Sequence, residues 1–139
     1  ITDPLADLPQ VKYVRSIPVP QEPLMVQTIA RGPGRKDLVV VTCGAAGAVV
    51  IYDEESVDIA ARIFGVGLQP SSFTVDVRPG ARGGTTGARI YVSNFTDGRV
   101  AVIDVPDLDA PQDARLVAHL GETQLCLTRR DLVCDAGVP

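Results

Sequence analysis

Residues 89–105 read RIYVSNFTDGRVAVIDV. Two apolar alternating runs, 90–93 and 99–105, flank the polar turn 94–98, in which Asp97-Gly98 is a strong hairpin signal. An echo stands upstream: VVVTCGAAGAVVIYD at 39–53 aligns without a gap on IYVSNFTDGRVAVID at 90–104, at an offset of 51. Val40 meets Tyr91, Val41 meets Val92, Gly47 meets Gly98, Val49 meets Val100, Ile51 meets Val102 and Asp53 meets Asp104. A second match at offset 47 sets Ile17 on Phe64, Pro23 on Pro70 and Val26 on Phe73. The longer loop PGARGGTTGA, 79–88, absorbs the difference of four residues. Periods of about 40–50 residues with four strands each are the signature of propeller blades.

The rest of the chain is read from this repeat. One blade is expected with strands at 25–30, 38–42, 48–53 and 57–64, and the next with strands at 72–78, 89–93, 99–104 and 114–120. A helix over 54–64 competes on composition; the length of the stretch and the repeat favour a strand. The strand expected at 12–17 is the outermost of a preceding blade (11–17), and 123–128 starts a following one. Residues 1–10, with two prolines and no period, read as an N-terminal arm, and 129–139 as a C-terminal tail. The middle strands are almost continuously apolar because a blade is packed on both faces.

Composition agrees. The 139 residues hold 11 Pro and 13 Gly, which cut the chain into short elements, with no Trp and only three Phe and three Tyr. The net charge of −4 lacks the basic excess of a nucleic-acid binder. No apolar run approaches the roughly 20 residues of a transmembrane helix. The sequence opens at Ile1 with neither an initiator Met nor a signal peptide, which reads as a processed product, a recombinant piece or a fragment. Cys126 and Cys134 are close enough in sequence to bridge a short loop, tethering the tail, whereas Cys43 lies in an apolar segment. Such a bridge implies an oxidising compartment; two reduced thiols are the alternative.

The hairpin at 89–105 resembles the repeat of the YVTN family of β-propellers: Tyr-Val-Thr-Asn, a short Gly/Asn turn, then Val-x-Val-Ile-Asp. Tyr91, Val92, Ser93, Asn94, Gly98, Val100, Val102, Ile103 and Asp104 stand at those places, with Ser for Thr. At 39–53 the match is degenerate, with Cys43 for Asn and Tyr52 for Ile. The resemblance implies an all-β chain of four-stranded antiparallel blades, about two full and two partial, in a bacterial protein exported to the periplasm, cell surface or exterior. It implies no single activity, since propellers host binding proteins, lactonases and redox-enzyme subunits alike. Closed propellers take about 4–8 blades. Two blades leave bare edges and uncovered faces, so the remaining blades are expected from a longer parent chain, a second chain or a symmetric copy.

Loop topology sorts the charges. Loops joining first to second strands are basic (Arg31, Arg35, Lys36; Arg78, Arg82, Arg89), and those joining third to fourth are acidic (Asp53, Glu54, Glu55, Asp58; Asp104, Asp107, Asp109, Asp113). The two sets share one face of the propeller. They either neutralise each other in surface pairs of about 1 kcal/mol at most, or form a docking face for a protein partner, with Arg35, Lys36, Arg82, Asp107 and Asp109 at its centre. The opposite face, with PVPQEP, VGLQPSS and LGET, carries few ionisable groups (Glu22, Asp97, Glu122).

Catalytic signals are weak. His119 is the single histidine and falls in an outer strand, and no Gly-x-Ser-x-Gly elbow occurs. PGARGGTTG lacks phosphate-loop spacing and does not lead into a helix. Asn94, Thr96 and Asp97 carry calcium-type oxygens but fit a hydrogen-bonded turn, and Asn94-Phe95-Thr96 is formally a glycosylation sequon. No cofactor or metal is expected. The favoured reading is a binding or scaffolding module. The alternative is part of a propeller enzyme, a lactonase-like hydrolase or a periplasmic dehydrogenase subunit, with its catalytic groups outside this segment.

Overall fold

The computed structural model of the chain describes residues 11–121. The expected arm at 1–10, strand at 123–128, tail at 129–139 and Cys126–Cys134 bridge lie outside the described residues.

Eight strands form two four-stranded antiparallel sheets, each a simple meander. The first holds β1 (Pro23–Ile29), β2 (Leu38–Cys43), β3 (Ala48–Asp53) and β4 (Asp58–Ile63). The second holds β5 (Pro70–Pro79), β6 (Thr86–Asn94), β7 (Val100–Val105) and β8 (Arg115–Leu120), with one 3-10 turn at Pro111–Asp113 ahead of β8. The chain is all-β, and both sheets are blade-like. The stretch that competes as a helix is the strand β4. In two places the strands depart from expectation. β6 starts at Thr86 rather than Arg89, because β5 runs on to Pro79 and offers it a partner there. Residues 12–17 form no strand: a ladder needs a neighbour, and among the described residues none lies alongside them.

The repeat is built into the backbone. Gly47 and Gly98, 51 apart, close the central hairpins at φ 62° and 66°. Glu22 and Gln69, 47 apart, precede β1 and β5 at φ 62° and 59°. Bulges recur at the same places: Leu24 and Ser71 are the extra residues on the first strands, and Ala60 and Val117 on the fourth, opposite Ile51/Tyr52 and Val102/Ile103. Two stretches of modest sequence identity thus share these left-handed positions and these bulges.

The core lies between the sheets. Leu38, Val40, Val49 and Ile51 from the first meet Ala88, Ile90, Val92, Ala101, Ile103 and Val105 from the second, with Ile29, Ile63, Val66, Phe73 and Leu108 around them. The facing residues are not repeat partners of one another. Val40 and Ile51 correspond to Tyr91 and Val102, which point away from this core, while Val92 and Ile103 correspond to Val41 and Tyr52. Opposite faces are therefore joined, head to tail, as in an open-ended stack. The linker from β4 to β5 returns the chain from an outer edge to an inner strand, so that β5 touches β1 and β2.

Candidate docking face

The charged face begins with Arg31. Its guanidinium is almost wholly buried, with 1% of the side chain exposed, and donates to Asp53 Oδ1 at 2.6 Å and Oδ2 at 3.4 Å and to the Lys36 carbonyl at 2.7 Å. Asp53 Oδ1 also accepts from the Glu55 N–H at 2.8 Å. The basic loop between β1 and β2 is thereby riveted to the acidic turn between β3 and β4. Burial alone pushes the Asp53 carboxyl up, but the Arg31 guanidinium and the Glu55 and Ser56 N–H groups outweigh it and hold it below the usual range.

Arg35 makes the link between sheets. It holds Glu55 with Nε at 2.6 Å and Nη2 at 3.0 Å, a two-pronged grip, and its Nη1 reaches Asp109 of the second sheet at 2.8 Å. The hydrogen bond from Arg35, helped by the Lys36 N–H, holds Glu55 at about 2. The same hydrogen bonds, from Glu55 first and then Asp109, raise Arg35 further above its already high value. In the second sheet, Arg78 stands 3.7 Å from Asp76 and Arg89 3.6 Å from Asp104. The basic and acidic loops thus neutralise each other in part.

Of the five residues expected to centre this face, Arg35 and Asp109 are brought together. Lys36 is exposed beside them, with its backbone N–H 3.3 Å from Glu55. Asp107 shapes its own loop by accepting the Asp109 N–H at 2.9 Å. Arg82 stands apart, exposed in the long β5–β6 loop, where its carbonyl accepts from Thr85. That loop joins two antiparallel strands and leads into no helix.

On the other side of the sheets, the polar residues of the turns are spent on hydrogen bonds within the chain. Asp97 accepts from Leu68 and Arg99 N–H groups, and Thr96 donates to Gln69. Asn94 is 3% exposed and donates to the Val66 carbonyl at 3.0 Å, so its sequon presents no accessible amide. The same carbonyl receives His119 Nε2 at 2.8 Å. Thr42 donates across the sheets to the Ser71 carbonyl at 2.9 Å. Residue types alone do not reveal these joints between sheets, because the acceptors are backbone carbonyls of distant segments. Among the described residues, no group of three or more His, Cys, Asp or Glu is arranged to hold a metal ion.

Cys43 is a free, fully buried thiol, and burial pushes its pKa up. Both effects suppress the reactive thiolate. Mild iodoacetamide treatment at neutral pH is expected to leave Cys43 unmodified in the folded chain and to label it in denaturant; mass mapping of the labelled site checks this.

No protein-family model, curated protein or solved structure matches the chain.

Proposed function

We propose that this chain is a binding or scaffolding module of an exported bacterial β-propeller of the YVTN type, working within a larger propeller or multi-chain assembly. The observation that carries the reading is the head-to-tail stacking of the sheets. Each outward face is the repeat counterpart of a face already buried between them, so the stack has an acceptor at each end. The outward side chains remain partly apolar: Val26 is 64% exposed and Leu120 51%. Such surfaces mark interaction sites in soluble proteins. The remaining blades come from the parent polypeptide, a second chain or a symmetric copy, and the charged loops form the rim on which a protein partner docks. The setting is the periplasm, the cell surface or the exterior.

Size-exclusion chromatography with light scattering on the isolated 139 residues tests the assembly. Self-association or aggregation is expected; a stable, well-folded monomer overturns the reading. Charge reversal tests the rim. Arg82→Glu with Asp109→Arg is expected to abolish capture of the native partner while leaving the circular dichroism spectrum unchanged, and retained capture removes the docking face from the proposal.

A further inference from the structure

The residues ahead of β1 repeat the residues that end the first sheet. At the spacing of 47 that sets Glu22 on Gln69, residues 12–20 fall on residues 59–67, the outer strand β4 and the start of the linker. Arg15 falls on Arg62, Ile17 on Phe64 and Val19 on Val66. Their positions in space agree. Val66 is fully buried in the core between the sheets. Val19 lies against Cys43, Ala48 and Val50 on the outward face of the first sheet. Cys43 and Val50 are the repeat positions of Asn94 and Ala101, both buried on the core-facing side of the second sheet. Farther out, Val14, Arg15 and Ile17 line a notch with Tyr52, Glu54 and Val57. Tyr52 and Val57 are the repeat positions of Ile103 and Leu108, which share a core with Ile63 of β4.

Residues 12–20 thus cross the first sheet as β4 and the linker cross the second, yet without the three strands that accompany β4. The missing strands leave a mark on the surface. Val11 is 100% exposed, Val14 76% and Tyr13 75%, although their counterparts belong to a half-buried strand. No residue among 12–17 has a left-handed φ that would bar it from a ladder.

We propose that residues 12–17 are the outer strand of a further blade, and that this edge and the outward face of the first sheet accept a three-stranded antiparallel sheet of the same repeat type. Three strands fit and four do not, because the place of the fourth is filled. The partner's edge strand runs antiparallel to 12–17 and satisfies its N–H and C=O groups by strand addition. The partner's inward face is apolar where it meets Val39 and Val41. Cys43 stands where Asn94 donates its amide to the Val66 carbonyl in the inner joint, so at this joint no side-chain amide comes from that position to the corresponding Val19 carbonyl. This inference rests on the assembly proposed above and specifies its geometry at one end.

The test supplies the three strands. A second copy of residues 21–58 is placed directly before Lys12, reproducing the order of strands in the first sheet, and amide hydrogen exchange is read at residues 13–17. A second extended chain carries residues 68–115 there instead, which keeps the same register because Ile59 and Leu116 hold the same place in their sheets, as insurance against misfolding of the first. Exchange at 13–17 is expected to slow by ~100-fold or more relative to the unextended chain in at least one of the two. Unchanged exchange in both, whether or not the added strands are themselves protected, overturns the inference. That outcome leaves the assembly reading to its own test, the oligomeric state of the unextended chain.

Discussion

Ile51→Ala is expected to lower the unfolding free energy by about 3–4 kcal/mol, within the range for emptying a packed core site. Ile51 is fully buried at the centre of β3, and its side chain lies in the core that both sheets share. Burying such a side chain is worth about 1.5–3 kcal/mol in transfer alone, and the cavity left by four-sided packing adds to the cost. Where the loss is felt is more telling than its size. Because the core belongs to both sheets, exchange protection is expected to fall in β6 and β7 as much as in β2 and β3. Urea titration gives the free energy and native-state hydrogen exchange gives its distribution. Loss confined to the first sheet would show that the sheets unfold independently.

Arg31→Met is expected to cost about 3 kcal/mol at neutral pH, as is typical when one partner of a buried ion pair is removed. Met fills much of the same volume, so the loss reflects the charge and its hydrogen bonds. The pH dependence identifies the partner. In the native chain Asp53 is held below the ordinary carboxyl value, so its contribution is complete above that value and disappears as the pH falls through the folded value. Glu55, held at about 2 by Arg35, contributes with the same sign. Without Arg31, only the Glu55 and Ser56 N–H groups still oppose the burial of Asp53, so its carboxyl rises from its native position and acidification costs the variant less than the native chain. The gap between the native chain and Arg31→Met is therefore expected to be widest above about pH 5 and to narrow toward pH 3, near and below the ordinary Asp value of about 3.9. Denaturant titrations of both proteins across that range measure it. A gap that stays constant would assign the cost to lost packing rather than to the ion pair.

Much of this fold is legible in the chain because its determinants are local. Asp97-Gly98 closes a hairpin whose glycine takes φ 66°, and Gly47 does the same one repeat earlier, so the two central hairpins and their spacing are set by residues close in sequence. The alternating apolar residues around them specify two-faced strands, and the repeat carries the count to four per sheet. The candidate site is legible only as a distribution of charge. That basic and acidic loops share a face follows from meander topology. That Arg31 is buried and spent on Asp53, while Arg35 reaches across to Asp109, depends on how the two sheets approach, and no local pattern encodes that approach.

Residues 12–17 show the limit from the other side. Their alternation and place in the repeat specify a strand, but a strand exists only where another backbone completes its hydrogen bonds, and none does so within the described residues. The sequence by itself determined the repeat, its turns and the two-faced character of its strands, since these arise from backbone preferences and burial periods of adjacent residues. Only the tertiary structure decided that the sheets stack head to tail, that Asn94 and Thr42 are spent on carbonyls across the joint, and that Val19 rests on the first sheet as Val66 rests in the core. Those outcomes depend on contacts between segments tens of residues apart, whose geometry emerges when the apolar faces close on one another.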